Sequence, residues 1–440
     1  MIPPEKLLVL GLGLSGLSTA SFLKTHNIPF VVWDDGEPNR THANDQGYAL
    51  FQEKDWPKIT QIILSPGIAF GGDNPHAIPA HPMIQKAREL KVTMLTDCNI
   101  LIQWVKKTNP SAQFIGITGT NGKSTTTALL THILKENGYD AIMGGNIGVP
   151  VLSLGFNHQV YVLELSSFQL ERSPAFELDF ALWTNISPDH LDKHGSMSHY
   201  QMAKERIFKN AQHKIIMVDD VLSLHVGEKY SDALCLKTTD TIAQLPPHPF
   251  LKGVHNDQNR CLVYETLRIF GLTHENIINA METFHGLPHR QEYAGEIVFN
   301  HKRITFINDS KSTSAEATKQ ALQTFSNTYL ILGGQDKTDG VETLLDHSHT
   351  IKRVYFFGKA RERFSKTFES THIPQQSFEC LQDAVTAAVI DAREDLNSDQ
   401  SIDHATILFS PACASFDQYK NFEERGNDFM RIVSIVMNNQ

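Results

Sequence analysis

Cysteine is scarce in this sequence: five residues in 440, at Cys98, Cys235, Cys261, Cys380 and Cys413. They are odd in number, far apart and form no CxxC pair. That argues against a disulfide framework or a thiolate zinc site and points to a reducing compartment. Basic residues are outnumbered, 39 Lys and Arg against 49 Asp and Glu, for a net charge of −10. Broad electrostatic binding to DNA or RNA needs the opposite balance, so no nucleic-acid partner is expected, although a local phosphate pocket stays open. Long apolar runs are missing too. None approaches the ~20 residues of a membrane span. The apolar start, MIPPEKLLVLGLGLSG, carries Glu5 as well as Lys6, against a signal sequence. There is no repeat and no low-complexity tract. A soluble, unprocessed, cytoplasmic protein with no membrane partner is the expectation.

What is present is ordinary in bulk, 41% hydrophobic and 20% charged. A chain of this length exceeds what one core usually organises. Short apolar runs alternate with helix-like segments in three blocks. Strands are expected at 6–10, 30–33, 62–64 and 92–95 with a helix at 15–24, and a loop at 71–82. A second block has strands at 113–117, 160–164, 181–184 and 214–218 with helices at 124–137, 198–210 and 256–270. A third has strands at 304–307, 328–332, 353–357 and 405–409 with a helix at 381–394. Alternation of this kind predicts an α/β protein with parallel sheets. The expected boundaries give domains 1–97, 98–286 and 287–440.

The sharpest local signal is Ile115-Gly116-Ile117-Thr118-Gly119-Thr120-Asn121-Gly122-Lys123-Ser124-Thr125-Thr126. An apolar strand runs through a Gly-rich loop into a helix. Small residues let backbone N–H groups turn toward a polyphosphate, and the helix N-terminus adds partial positive charge. Lys123 can reach the terminal phosphates, and a Ser124 or Thr125 hydroxyl can ligate Mg²⁺. The general P-loop would place glycine at 117; here glycines stand at 116 and 119. A second glycine motif, Gly11-Leu12-Gly13-Leu14-Ser15-Gly16, follows a strand, with Asp34 and Asp35 ending the next one. Alone it reads as dinucleotide binding, but a lone GxGxxG is weak and no nicotinamide chemistry follows. Glu164 ends the apolar strand YVLEL, where a carboxylate suits Mg²⁺. By residue type alone, His190 reads as structural and Lys204 as a solvated helix lysine.

The string GxTGTNGKST resembles the phosphate loop of the Mur ligase superfamily, which includes the folylpolyglutamate synthetases. The resemblance continues through Gly144–Gly148, Glu164–Leu170 (ELSSFQL), Asn185–His194 (NISPDHLDKH), Gly253–Asn256, Gly286–Arg290, Asn308–Thr313 and Ser410–Gln418, and so covers essentially the whole chain. It implies three domains: a Rossmann-like first domain, a central P-loop ATPase domain with a mainly parallel sheet, and a Rossmann-like C-terminal domain. It also implies ATP-driven amide-bond formation through an acyl phosphate. The N-terminal GLGLSG and the C-terminal SPACASFDQYKNFEERG look like the members that add D-glutamate to UDP-N-acetylmuramoyl-L-alanine in peptidoglycan synthesis. Another Mur-type or folylpolyglutamate-type ligase, or an NAD-binding oxidoreductase or sensor with an ATPase domain, is the alternative.

The resemblance implies a site residue by residue. ATP would be held by Gly119, Thr120, Asn121, Gly122, Lys123, Ser124, Thr125, Thr126, Asn256, Asn259, Arg290 and Asp309. Two Mg²⁺ would be bound by Ser124, Thr125, Glu164, His190 and a carbamylated Lys204; Lys123, His190 and Lys204 would be catalytic. The UDP substrate would meet Leu14, Ser15, Asp34, Asp35, Ser65, Gly67, Asn146, Gln169 and His190. D-glutamate would meet Lys311, Thr313, Lys337, Ser415 and the backbone N–H of Phe422. Two motifs depart from the family pattern. Lys311-Ser312-Thr313-Ser314 stands where Lys-Ala-Thr-Asn is frequent, and Gly333-Gly334-Gln335-Asp336-Lys337 where Gly-Gly-Asp-x-Lys is. The lysines remain in both. A monomer is expected.

Overall fold

The computed structural model describes residues 6–71, 79–335, 340–399 and 401–438. The first sheet has strands β1 (Lys6–Leu10), β2 (Phe30–Trp33), β3 (Ile59–Leu64) and β4 (Thr93–Leu95), ordered β2-β1-β3-β4 and all parallel. The pleat sends alternate residues to opposite faces. Leu8 and Leu10 pack with Val31, Ile62 and Leu64 on one side. Val9 joins Val32 and Ile63 on the other.

The second sheet is formed by β5 (Gln113–Thr118), β6 (Ala141–Gly145), β7 (Val160–Glu164), β8 (Leu178–Trp183), β9 (Ala211–Met217) and β10 (Leu234–Leu236). Its order is β10-β9-β8-β5-β7-β6, again parallel throughout. Strands β7 and β8 are buried at every residue, as expected of a sheet covered on both faces. The expected helix 198–210 ends at Glu205. Arg206–Phe208 then tightens into a 3₁₀ turn that buries Ile207 and Phe208.

The third sheet holds β11 (Glu292–Phe299), β12 (Lys302–Asn308), β13 (Thr328–Gly333), β14 (Ile351–Phe357), β15 (Gln375–Phe378) and β16 (His404–Phe409), ordered β11-β12-β16-β13-β14-β15. Only the β11–β12 pairing is antiparallel.

By packing, the chain forms two units, Met1–Pro247 with Val254–Thr283, and His248–Gly253 with Phe284–Gln440. The expected cut near 97 lies inside the first unit, at the start of the helix Asp97–Thr108. One apolar core runs through both of that unit's sheets, from Val9, Phe22 and Ile63 to Phe114, Leu163 and Trp183. The expected cut near 286 lies beside Phe284, where the second unit resumes.

Each sheet has a point where the chain reverses its direction of strand addition. From β1 it adds β2 on one side and β3 on the other. From β5 it reaches β6, inserts β7, then crosses to β8. In the third sheet β16 is inserted between β12 and β13. Crevices at the C-terminal ends of such strands are where open α/β sheets take ligands.

Candidate active site

The loop after β5 lies at one of these points, and the helix Lys123–Glu136 follows it. Gly122 has φ +83°, and a Cβ there would lie 2.3 Å from Asn259 Oδ1, so any side chain in this turn is strained and must displace Asn259. Asn185, just past β8, fixes the loop. Its carbonyl accepts from Thr120 N–H, and its side-chain oxygen accepts from Asn121 N–H at 2.9 Å. Lys123 Nζ donates to the carbonyls of Gly119 (3.0 Å) and Thr120 (2.7 Å). Thr126 Oγ1 donates to Asn259 Oδ1, and Asn259 Nδ2 to Asn256 Oδ1 at 3.4 Å. Both asparagines are thus packed against the phosphate-loop helix. Thr125 is half-buried in its first turn.

Glu164 ends β7 and is buried. Its carboxylate accepts from Ser124 Oγ at 2.6 Å and from Asn146 Nδ2 at 3.1 Å. A hydroxyl and a carboxylate in contact beside a phosphate loop are hard oxygen donors. They fit Mg²⁺, which takes few protein ligands and leaves the rest to water and phosphate oxygens. Among the described residues no group of three His, Cys, Asp or Glu side chains forms a richer cluster.

Lys204, on the helix Met197–Glu205, is buried and donates from Nζ to Gly119 O at 2.5 Å. Its ammonium lies 4.6 Å from the centre of the Tyr200 ring, whose hydroxyl meets Thr120 Oγ1 at 3.2 Å. Burial, and after it the charge of Lys123, pulls the Lys204 ammonium well below the ordinary lysine range, against Asp189 and Glu164. The neutral amine is therefore within reach. His190 caps its helix with a left-handed backbone, φ +52°. Its half-exposed ring lies 3.5 Å from Asp189 Oδ2.

At the first sheet's reversal point, Gly11–Ser15 and Ser65–Ile68 lie side by side. Ser65 Oγ donates to Gly11 O at 2.7 Å. A Cβ on Gly16 would meet that carbonyl at 1.8 Å, which is why glycine stands in the first turn of the helix. Leu14 is 82% exposed at the N-terminus of the helix Leu14–Thr25, and Gly67 is exposed on the facing loop. The Ser15 hydroxyl donates to Asp97 Oδ2 at 2.5 Å. Asp34 serves the turn itself, accepting from Leu12 N–H at 2.7 Å, from Gly36 N–H and from Asn39. Burial pushes its pKa up, but those bonds outweigh it and hold the carboxylate below its usual range. Asp35 is exposed and pairs with His81 at 3.0 Å. Gln169 is buried in the capping box of Ser166 and reaches Cys98 Sγ at 3.6 Å. Like Asp34, it is turned to internal contacts.

In the second unit, Asp309 follows β12 and is buried. Its carboxylate accepts from Ser312 Oγ (2.5 Å), Ser410 Oγ (2.7 Å) and Gln291 N–H (3.1 Å). Burial raises its pKa to about 6, against those bonds and the charge of Arg290. The Lys311 ammonium lies 3.9 Å from the centre of the Phe422 ring, at the start of the helix Phe422–Asn438. Thr313 is half-buried two residues on. Ser415 Oγ is buried and has no hydrogen-bond partner among the described residues. Lys337 lies outside the described residues.

Sequence reasoning quoted the motif NISPDHLDKH but gave no role to Asn185, which braces the phosphate loop, or to Asp189, which faces His190 and Lys204. Tyr200, which meets Thr120, has no role in the sequence reading either. Position inside a motif is the available signal for the first two.

A phosphate loop on a parallel sheet, a carboxylate at the neighbouring strand end and a buried lysine define an ATP-using enzyme of the P-loop α/β class. The comparisons narrow this. The family profile described as the Mur ligase middle domain matches residues 117–244, and the one described as the MurD-like N-terminal domain of Mur ligases matches 5–95. A UDP-N-acetylmuramoylalanine–D-glutamate ligase of Bartonella henselae is 34% identical, covering 98% of this chain and 97% of the relative. The enzyme of that name from Paramagnetospirillum magneticum is 36% identical over the same shares. A solved UDP-N-acetylmuramate–alanine ligase from Thermotoga maritima shares the fold, with TM-score 0.56, 17% identity and coverage of 99% and 100%. The chain belongs to the Mur ligases, within the family of UDP-N-acetylmuramoylalanine–D-glutamate ligases.

Proposed function

We propose that the chain joins D-glutamate to UDP-N-acetylmuramoyl-L-alanine at the expense of ATP. The observation that carries this reading is the convergence of Ser124, Glu164, Asn146 and buried Lys204 on the phosphate loop. The reaction follows by chemistry. The alanyl carboxylate attacks the γ-phosphorus and ADP leaves. The amine of D-glutamate then attacks the acyl phosphate, and inorganic phosphate departs as the amide forms. The first step opposes two anions, so its catalysis is positioning and charge neutralisation. Mg²⁺, held by Ser124 and Glu164 with Thr125, His190 and a carbamylated Lys204 as further candidates, would neutralise phosphate charge. Lys123 leaves the carbonyls of Gly119 and Thr120 for the phosphates it is sized to reach. Lys204, pressed toward the neutral amine, is suited to add CO₂, which would turn its charge from positive to negative. Asn256 and Asn259 hold the helix that follows the loop, and Arg290 and Asp309 are the nucleotide candidates of the second unit. Lys311, Thr313, Lys337, Ser415 and the Phe422 N–H supply the cations and donors that a dicarboxylate needs.

The first sheet takes the UDP moiety, with Leu14, Ser15, Ser65 and Gly67 nearest it. The NAD alternative is weakened because Asp34, which would receive a ribose, is spent on Leu12 and Asn39. A monomer in the cytoplasm completes the proposal. The cysteines are free, and among the described residues no helix is long and apolar enough to cross a membrane. The test is phosphate release with ATP, Mg²⁺ and UDP-N-acetylmuramoyl-L-alanine. Release is expected with D-glutamate and not with L-glutamate or L-alanine. ATP left intact when D-glutamate is supplied would end the reading.

A further inference from the structure

Arg172 is buried, 6% exposed, at the C-terminal end of the short helix Ser167–Glu171. Its guanidinium crosses from the second sheet's side to the first. Nη1 donates to the carbonyls of Ser65 (3.2 Å) and Pro66 (2.6 Å), and Nη2 to that of Ile68 (2.7 Å). Burial lowers its pKa to about 10, with Glu171 opposing the change. A buried cation satisfied mainly by carbonyl dipoles is costly and persists where it fixes geometry. Here it fixes peptide planes. In a trans peptide C=O and N–H point in opposite directions, and the described backbone has no cis bond. Turning the Pro66 and Ile68 carbonyls toward Arg172 therefore turns the N–H groups of Gly67 and Ala69 away from it. Ser65, in the same loop, holds Gly11 of the glycine turn. On the other side of that turn Asp97 holds Ser15. The helix ending at Arg172 begins three residues after Glu164.

We propose that Arg172 is a positioning residue for the UDP substrate. It orients the 65–69 loop so that the N–H groups of Gly67 and Ala69 and the glycine turn face the accepting oxygens of the uridine diphosphate. The inference rests on the reading that the first sheet takes the UDP moiety. It gives a residue of the central segment control over that pocket, and couples the pocket to the strand end bearing Glu164.

The test compares the wild type with Arg172→Ala and Arg172→Lys. It measures KM for each of the three substrates, and the affinities for UDP and for ADP by calorimetry. Arg172→Ala is expected to raise KM for UDP-N-acetylmuramoyl-L-alanine about tenfold or more, with kcat falling less than KM rises. UDP affinity should fall in parallel, and KM for ATP should stay within about twofold. Arg172→Lys should fall between, since one ammonium cannot reproduce the planar fork. Equal losses for ATP and the UDP substrate would reduce Arg172 to general structure and overturn the proposal. So would wild-type UDP affinity in Arg172→Ala with ADP binding intact. Should Arg172→Ala not fold, an unchanged UDP-substrate KM in Arg172→Lys overturns it as well. A wild-type chain that ligates but has no affinity for UDP would instead remove the underlying reading, and the proposal with it.

Discussion

At the scale of single residues, the site keeps its charged groups in places that cost stability. Asp309 is the clearest case, because burial raises its pKa to about 6 from 3.8. Its folded-state value exceeds its unfolded one, so its contribution to stability is full below about pH 4 and lost as pH rises through about 6. Above that it is a standing penalty on the order of 2–3 kcal/mol. Asp309→Asn should therefore raise the melting temperature of the second unit at about pH 8, with the gain shrinking toward about pH 4–5. The hydroxyls of Ser312 and Ser410 can turn to accept from the new amide. Ligation should fall in the same variant by about a hundredfold or more, separating function from stability. A pH-independent change in melting temperature would contradict the assignment. Lys204 is the opposite case, a cation pressed toward its neutral form by burial. Carbon-13 bicarbonate should give a carbamate resonance in the wild type that is missing from Lys204→Arg, and that variant should lose ligation. The sequence showed the lysine but not its burial, because nothing in HYQMAKER distinguishes a solvated helix face from one packed on a phosphate loop. Arg172 was illegible for a related reason: its partners lie 104 to 107 positions earlier.

At the scale of elements, legibility followed periodicity and glycine. Strands β5, β7, β13 and β16 are dense apolar runs and were read within a residue or two of their ends. Strand β15 (QQSF) and strand β6 (AIMGG) were not read. The first is a polar edge strand, and the second ends in two glycines, Gly144 packed on Leu154 and Gly145 against the backbone of Glu164 in β7. Strand β11 was missed because the linker motif GLPHR masked the start of an antiparallel pair. The phosphate loop was legible because its glycines are there for geometry, and Gly122 tests that directly. Alanine at φ +83° costs about 1–2 kcal/mol in backbone conformation alone. Its methyl would also displace the Asn259 side chain, which otherwise receives the Thr126 hydroxyl. Gly122→Ala should lower the urea midpoint by the equivalent of about 2–4 kcal/mol and weaken ADP binding. A variant as stable as the wild type would mean that the turn relaxes without strain.

At the scale of the whole molecule, the sequence divided the chain by alternation and linkers, and so drew a boundary near 97. One apolar core continues across that boundary. The first sheet buries one face, Leu8, Leu10, Ile62 and Leu64, against its own helix Pro82–Glu89 and Trp56. Its other face belongs to a core continuous with the second sheet. Phe22, from the helix after the glycine turn, meets Trp104 edge-on at 5.2 Å and Phe156 at the same distance. Trp104 lies on the helix Asp97–Thr108, and Phe156 follows the turn Val151–Ser153 of the central segment. Sequence pattern marks which residues are apolar but not which sheet they will share. A fragment of residues 1–96 would expose Val9, Leu12, Phe22, Val32 and Ile63 to water. At ~25 cal/mol per Å² and up to ~3 kcal/mol per side chain, that loss exceeds the stability of a domain this small. Expressed alone, 1–96 should give collapsed amide dispersion in a nitrogen–proton spectrum, whereas residues 1–283 should fold and bind UDP. A well-dispersed spectrum from 1–96 would mean that the inner face is not needed and that the boundary read from the sequence is a physical one. Because Arg172, Asp97 and the aromatic contacts all join the first sheet's segment to the central one, folding of the first sheet and shaping of its pocket become one event.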